Sequence, residues 1–193
     1  MAAAVLAAGR GARLATRTPK PLLVLRGQPL VRWALVAATG ADLAPVLLVV
    51  GRARRAVARA APVGVDVVRA RHWRRGIAHS LRAALDALEA TAVTGVCVGL
   101  ADQPLVGADA YRRLVAAHVD GARLAVATYQ GTRGNPVLLD RSLWPDARTL
   151  RGDVGARALM CRHDVVEVDC TGTGDPSDVD TLDDLRIVEG RTP

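Results

Sequence analysis

The chain has 193 residues, half of them hydrophobic and 23% charged. This composition is typical of a folded domain with a sizeable core and excludes a disordered chain. No apolar run approaches the roughly 20 residues that a membrane-spanning helix needs. We therefore expect a single domain over residues 1–193, located in the cytoplasm and without a membrane partner.

The net charge of +7 raises the question of nucleic-acid binding. The basic residues are spread along the chain, only 3% of residues are aromatic, and there is no phenylalanine. A nucleic-acid-binding surface usually clusters its basic residues and interleaves aromatic side chains for base stacking. We expect no nucleic-acid partner and interpret the basic surface as one that steers anionic substrates.

Short apolar runs alternate with amphipathic stretches along the chain. The predicted strands are Ala3–Ala8, Val46–Val50, Val65–Val68, Val96–Leu100, Leu124–Thr128, Pro136–Leu139 and Val165–Val168. The predicted helices are Leu30–Ala38, Ala53–Ala61, Ile77–Ala90, Ala108–Ala117, Val154–Met160 and Thr181–Val188. This order predicts a Rossmann-like, three-layer α/β/α domain with a mainly parallel twisted sheet. Residues 129–151 break the rhythm, and we expect a lobe over the active site there.

The first predicted strand leads into a loop that contains two glycines, Gly9-Arg10-Gly11-Ala12-Arg13. Glycine permits close backbone approach, and successive backbone N–H groups can hold an anion. The dinucleotide fingerprint and the Walker loop do not fit, because Leu14 stands where the third glycine belongs and Pro19 precedes Lys20. Lys20 is the one lysine in a chain whose other basic residues are arginine, and its compact ammonium suits contact with phosphate.

Acidic residues occur at two places where a metal ion could bind. Asp102 lies just beyond the predicted strand Val96–Leu100, although an aspartate here can also simply begin a turn before proline. Asp178 and Asp180 share a face if the chain is extended there, and Asp180 or Thr181 can cap the last helix. Magnesium prefers a few carboxylates together with phosphate oxygens and water, so these positions suit Mg²⁺.

The glycine loop and the lysine together carry a resemblance to a known family. Leu6-Ala7-Ala8-Gly9, Gly11, Arg13 and Pro19-Lys20 resemble the signature of the MobA-like NTP transferases, which have the nucleotide-diphospho-sugar transferase fold. In that family the loop wraps the triphosphate of an NTP. The resemblance implies catalytic roles for Arg13, Lys20 and Asp102. It implies nucleotide contacts by Leu6, Ala7, Ala8, Gly9, Gly11, Arg13, Lys20, Ser80 and Asp102.

Two motifs extend the resemblance to the carboxylates. Asp102-Gln103-Pro104 resembles the metal-binding motif of the molybdenum cofactor cytidylyltransferase branch. Residues 178–184 resemble the family's closing Asp-x-Asp-Thr-Pro-x-Asp motif, with Leu182 in place of proline. The match implies that Asp102 and Asp180 bind Mg²⁺, or Mn²⁺ in its place, with Asp178 as a lesser candidate.

Two further segments, Arg133–Val137 and Gly152–Arg157, are similar to motifs of the same branch. They imply acceptor contacts by Gly134, Asn135 and Arg157, although histidine is more usual at the position of Asn135. Arg157 can instead pair with Asp153 one helical turn away. Ser80, in the matched entry to a helix, can equally bond the backbone near the helix start.

The resemblance implies transfer of NMP from an NTP, CTP before GTP, to the phosphate of a molybdopterin-type cofactor with release of pyrophosphate. A molybdoenzyme or its chaperone is then an expected partner. The longer spacing between Arg13 and Lys20 instead matches members that act on sugar phosphates. A guanylyltransferase and a non-catalytic binding or cofactor-delivery protein also remain open. The sequence does not decide the base or the oligomeric state.

Overall fold

A computed structural model describes residues 1–9, 16 and 18–190. The strands are β1 (Ala2–Ala7), β2 (Val24–Leu25), β3 (Gln28–Pro29), β4 (Val46–Val50), β5 (Val65–Arg69), β6 (Gly95–Leu100), β7 (Leu124–Tyr129), β8 (Thr132–Asp140) and β9 (Val166–Asp169). The α-helices are α1 (Leu30–Thr39), α2 (Arg54–Arg59), α3 (Ile77–Leu88), α4 (Ala108–Val119), α5 (Trp144–Thr149) and α6 (Leu182–Glu189). Short 3₁₀ helices span Lys20–Leu22, Trp73–Arg75, Arg141–Leu143 and Ala156–Cys161.

The central sheet has seven strands in the order β5-β4-β1-β6-β8-β7-β9. Strand β1 pairs in parallel with both β4 and β6, and β7 pairs in parallel with β9. Strand β8 is antiparallel to both of its neighbours. The predicted α/β fold with a mainly parallel sheet is confirmed.

The antiparallel strand arises from a tight turn. Gln130 and Gly131 join β7 to β8, and both have positive φ angles, 52° and 77°. Two such residues in succession are typical of a two-residue hairpin, which turns the chain straight back on itself. From the sequence we expect residues 129–151 to form a lobe on the acceptor side. Residues 132–140 of this segment instead form strand β8 inside the sheet. Whether the segment contacts an acceptor stays a prediction.

Apolar side chains alternate between the two faces of the sheet and build a core on each. Along β1, Ala3 and Val5 face the core under α1, α2 and α4. Ala4 and Leu6 face the core under α3 and α5. This is the period-2 alternation of a strand covered on both faces. A third, smaller cluster packs Leu25 of the β2–β3 hairpin against Val188 of α6 and so fixes the C-terminal helix beside the Lys20 segment.

One helix differs from its prediction. The sequence predicts a helix over Val154–Met160, but a 3₁₀ helix forms instead and begins only at Ala156. Gly155 has an extended backbone, with φ −91° and ψ −173°, so the turn cannot start earlier. In the part of the chain that the structure describes, no helix is long and apolar enough to cross a membrane.

Candidate active site

A lysine lies between two carboxylates at the carboxyl edge of the parallel strands. The Nζ atom of Lys20 lies 2.5 Å from Oδ2 of Asp102 and 2.6 Å from Oδ1 of Asp180. The Lys20 side chain is 11% exposed, whereas those of Asp102 and Asp180 are 28% and 37% exposed. Three groups that are far apart in sequence therefore meet at one nitrogen atom.

The surroundings keep Lys20 positively charged. Burial alone would lower the pKa of its ammonium group, but the charge of Asp102, hydrogen bonds to both carboxylates and the charge of Asp180 outweigh burial and raise it. A charged ammonium group held at the edge of a sheet is suited to binding phosphate oxygens.

Asp180 is positioned by the start of α6. Thr181 caps this helix through a capping box, in which its side chain accepts from the Asp184 backbone N–H and Asp184 accepts from the Thr181 backbone N–H. The Asp184 carboxylate also accepts from the backbone N–H of Asp180. One residue earlier, the Val179 N–H donates to the carbonyl of Asp102 at 2.9 Å. These bonds bring the second acidic segment against the loop after β6.

Asp178 lies near the two carboxylates, but among these aspartates the described ion pairs of Lys20 go to Asp102 and Asp180 and not to Asp178. Its pKa is raised, first by desolvation of its carboxyl group and then by the charges of Asp102 and Asp180. The charge of Lys20 and the nearby amide of Gln103 act in the opposite direction. Asp178 therefore faces both the carboxylate pair and the pocket beside it.

Three hydrogen bonds connect Tyr129, Asn135, Gln103 and Pro176 in the same region, and we call this chain of bonds the relay. Nδ2 of Asn135 donates to Oε1 of Gln103 at 2.9 Å, and Nε2 of Gln103 donates to the carbonyl of Pro176 at 2.8 Å. The hydroxyl of Tyr129 donates to the Asn135 carbonyl at 2.9 Å. Gln103 and Asn135 are only 4% and 8% exposed. The relay joins β7, β8, the loop after β6 and the segment that precedes Asp178.

A pocket of about 220 Å³ opens beside this relay. Most of its wall is apolar, and its polar side chains are Gln103, Asn135, Asp153, Arg157 and Asp178. The apolar wall is made by Leu6, Ile77, Leu81, Val98, Leu100, Val137 and Ala156. A mostly apolar cavity with a few convergent polar groups is the usual form of a small-molecule site.

Close backbone contact shapes one end of the pocket. A Cβ atom at Gly76, where φ is 108°, would lie 2.1 Å from the carbonyl carbon of Gly152. The backbone N–H of Ala78 also donates to the Gly152 carbonyl. Gly76 therefore allows the start of α3 to lie directly against the loop that carries Asp153.

The other expected nucleotide-binding residues fall in three places. Leu6 lines the pocket, Ala7 and Ala8 are buried at the end of β1, and Gly9 is exposed. Gly11 and Arg13 lie outside the described residues. Ser80 is buried in the first turn of α3. Their contacts with a nucleotide stay predictions.

The expected acceptor-binding residues lie on or beside the pocket. Asn135 and Arg157 line it. A Cβ atom at Gly134 would lie 2.8 Å from the Tyr129 ring, so packing alone accounts for glycine there. The alternative pairing of Arg157 with Asp153 on one helix is wrong, because Asp153 precedes the 3₁₀ helix and the structure gives no ion pair between them within the described residues.

The carboxylates fit a divalent ion that is shared with substrate phosphates. Oxygen atoms of Asp102 and Asp180 lie within 2.6 Å of one cationic nitrogen, so they can also face one metal ion. Within the described residues no group of three or more His, Cys, Asp or Glu side chains could hold a metal. Two carboxylates completed by phosphate oxygens and water are a usual magnesium arrangement. For a metal to occupy the place between the carboxylates, the Lys20 ammonium group must move.

The fold and the site define an α/β protein with a candidate ligand-binding site at the carboxyl ends of its parallel strands. Residues 3–167 match the sequence model of the MobA-like NTP transferase domain. The chain therefore belongs to the MobA-like NTP transferase family, a family of nucleotidyltransferases.

The chain is also similar in sequence to curated proteins with different names. The chain is 34% identical to nicotine blue oxidoreductase of Paenarthrobacter nicotinovorans over 94% of this chain and 92% of that protein. It is 34% identical to the bifunctional protein GlmU of Mycolicibacterium vanbaalenii over 74% of this chain but only 30% of GlmU.

The structure is also similar to crystal structures of Rv0371c from Mycobacterium tuberculosis H37Rv. One superimposes with a TM-score of 0.87 at 35% identity and covers 98% of this chain and 97% of that one. A complex of Rv0371c with manganese gives a TM-score of 0.82 at 31% identity and covers 99% and 98% of the two chains.

Proposed function

We propose that this protein transfers a nucleoside monophosphate from CTP to the terminal phosphate of a molybdopterin-type cofactor and releases pyrophosphate. The observation that carries the proposal is the meeting of Lys20, Asp102 and Asp180 at the carboxyl edge of the sheet. A cation and two carboxylates suit a reaction in which two polyanions must approach each other.

The chemistry needs little from the protein beyond position and charge. A phosphate oxygen of the acceptor attacks the α-phosphorus of the NTP, the bond to the β-phosphate breaks, and pyrophosphate leaves. The acceptor is already an anion at neutral pH, so neither a protein nucleophile nor a general base is required. A bound Mg²⁺ or Mn²⁺ would reduce the repulsion between phosphates and align them.

Lys20 and the two aspartates, Asp102 and Asp180, have different roles in this reaction. Lys20 donates its N–H groups to phosphate oxygens on which negative charge grows, and such a preorganised donor contributes about a hundredfold or more in rate. Asp102 and Asp180 would hold a divalent ion, and they are anchored by the loop after β6 and by the cap of α6.

The adjoining pocket supports a flat heterocyclic group on the acceptor. Its apolar walls can pack against the faces of a ring, while the amide of Asn135 can bond to a polar edge. Arg157 lies on the same pocket and can bind an acceptor phosphate. A pterin has both features, whereas a sugar phosphate would make less use of the apolar wall.

The experiment is a pyrophosphate-release assay with each of the four NTPs, with and without molybdopterin cofactor and with Mg²⁺ or Mn²⁺. We expect release with CTP that depends on the cofactor. Release with GTP would favour a guanylyltransferase, and release with a sugar phosphate in place of the cofactor would favour that branch. Absence of release with every NTP and both acceptors would contradict the proposed function.

A second candidate is an oxidoreductase activity, favoured by the 34% identity to nicotine blue oxidoreductase along almost the whole length of both chains. Incubation with nicotine blue and NADH or NADPH tests it. Oxidation of NADH or NADPH that depends on nicotine blue, with no pyrophosphate release in the NTP assay, would support this function in place of nucleotidyl transfer.

A further inference from the structure

Gln103 is a buried side chain to which the proposed reaction assigns no part. It directly follows Asp102, yet its amide turns into the protein and is 4% exposed. Its oxygen accepts from Asn135 on β8, and its nitrogen donates to the carbonyl of Pro176. An amide with both ends bonded is fixed in one orientation, because a flip would place oxygen against oxygen.

The partner segment carries the carboxylates. Pro176 stands two positions before Asp178 and four before Asp180. Backbone bonds hold the same segment at Asp175, whose N–H donates to Leu105, and at Val179, whose N–H donates to Asp102. Gln103 adds a side-chain bond between these two backbone attachments, at the point where the segment passes the pocket.

We propose that Gln103 is a positioning residue that ties the Pro176–Asp180 segment to the pocket wall and so sets the distance between the Asp102 and Asp180 carboxylates. This inference rests on the proposed function, because the carboxylates matter only if a phosphate-bound ion lies between them. Gln103 itself touches neither the ion nor the reacting phosphates in this scheme.

The physical reason is that a shared cation requires a narrow range of distances between the two carboxylates. Asp102 and Asp180 can share a cation only while an oxygen of each stays within bonding distance of one point, as both do around the Lys20 nitrogen. Residues that orient metal ligands from behind typically change metal affinity or activity by roughly 10- to 100-fold. A shift of the Pro176–Asp180 segment away from the loop after β6 would therefore lower both the affinity for the metal ion and the rate of the reaction.

The test compares Gln103→Met with the wild type. Methionine has a similar length and can fill the same volume, but it forms neither hydrogen bond. We expect the dissociation constant for Mn²⁺, measured by the electron paramagnetic resonance signal of the free ion in the presence of a non-hydrolysable CTP analogue, to rise roughly tenfold. We expect kcat to fall by a similar factor, with a much smaller change in the KM for the acceptor.

Tyr129→Phe is the matched control. It removes another buried hydrogen bond of the same relay, the one from Tyr129 to the Asn135 carbonyl, but leaves the bond from Gln103 to Pro176 in place. We expect its Mn²⁺ affinity and kcat to stay within about twofold of the wild type. If Gln103→Met behaves like Tyr129→Phe in both measurements, Gln103 only supports the fold and the inference is overturned.

Two further results separate the possible failures. If Gln103→Met does not fold, Gln103→Glu keeps the size and the acceptor for Asn135 but loses the donor to Pro176, and a wild-type kcat for it would also overturn the inference. If the wild type releases no pyrophosphate at all, the proposed function fails, while the Mn²⁺ affinities of the wild type, Gln103→Met and Tyr129→Phe measured without nucleotide still decide whether Gln103 positions the carboxylates.

Discussion

The Nζ atom of Lys20 lies 2.6 Å from Oδ1 of Asp180, across a separation of 160 residues in the chain. This contact joins the segment after β1 to the segment before α6, and Asp102 completes it from the end of β6. In a mainly parallel sheet, these chain segments meet because the carboxyl ends of β1 and β6 lie side by side. The active-site hypothesis depends on this meeting point.

Replacement of Lys20 tests the part of the site that binds phosphate. We expect Lys20→Ala to lower the rate of pyrophosphate release about a hundredfold or more, because a donor to the developing charge is lost. Lys20→Arg should not restore the rate, since a planar guanidinium presents its N–H groups to a phosphate oxygen in a different geometry from a compact ammonium group. Steady-state assays at saturating Mg²⁺ measure both. Wild-type turnover by Lys20→Ala would argue against a role in transfer, and wild-type turnover by Lys20→Arg would show that the site does not require a compact ammonium group.

The ion pairs of Lys20 also lead to an expectation for metal binding without nucleotide. The ammonium group occupies the place between Asp102 and Asp180, so it competes with a divalent ion for the same oxygens. We expect Lys20→Met to bind Mn²⁺ roughly tenfold more tightly than the wild type in the absence of NTP. Isothermal titration measures this affinity. Lys20→Arg keeps the charge and is the control, and weaker binding by Lys20→Met would contradict the competition.

Gly76 offers a test of the contact that shapes the pocket. Gly76→Ala places a methyl group against the backbone of Gly152 at a positive φ angle, so we expect a loss of about 3 kcal/mol or more in the free energy of unfolding. Gly64 also has a positive φ, 86°, but has no neighbouring atom within 4 Å of an added Cβ. Gly64→Ala should therefore lose only about 1–2 kcal/mol. Urea unfolding compares the two, and equal losses would show that the contact with Gly152 is not restrictive.

The cap of α6 should make stability depend on pH. Hydrogen bonds from Thr181 lower the pKa of the Asp184 carboxyl group. A carboxyl group whose pKa is lower in the folded state stabilises the fold above its unfolded pKa, about 4, and this contribution is lost as the pH falls through the folded value. We expect Asp184→Asn to be less stable than the wild type at neutral pH and the difference to shrink in acid.

Thermal unfolding over a pH series measures this difference. Asp183→Asn is the control, because it removes a neighbouring charge in the first turn whose carboxylate bonds to Arg186 and not to the cap. A difference between Asp184→Asn and the wild type that stays constant into acid would contradict a role of the ionised carboxylate in the cap.

Local patterns predicted most of the elements that carry the site. The apolar run Val46–Val50 is a strand with those bounds, and the aspartate-rich segment before residue 182 does contain the capping threonine of α6. Asp102 could be expected at a ligand-binding edge because it lies two positions after the end of a buried strand. These features depend on neighbours in sequence, which is why periodicity and capping patterns predict them.

Features set by distant contacts could not be predicted in this way. Gln103 was recognised as part of a motif but had no assigned role, since its partners Asn135 and Pro176 lie 32 and 73 residues further along. The insertion of β8 between β6 and β7 depends on which strands pair, although the positive φ of Gln130 and Gly131 makes the hairpin possible. Helix α5 is short and begins at a proline-containing turn, so it had little periodicity to predict it.

The most direct test of the site compares pyrophosphate release by the wild type, Asp102→Asn, Asp180→Asn and Asp183→Asn at saturating CTP, molybdopterin cofactor and Mg²⁺. Asp183 is the matched control because it lies three positions from Asp180 but faces solvent and pairs with Arg186. We expect Asp102→Asn and Asp180→Asn to lose about a hundredfold or more while Asp183→Asn keeps the wild-type rate. A folded Asp102→Asn or Asp180→Asn that turns over like the wild type would contradict an active site built on Lys20 and these two carboxylates.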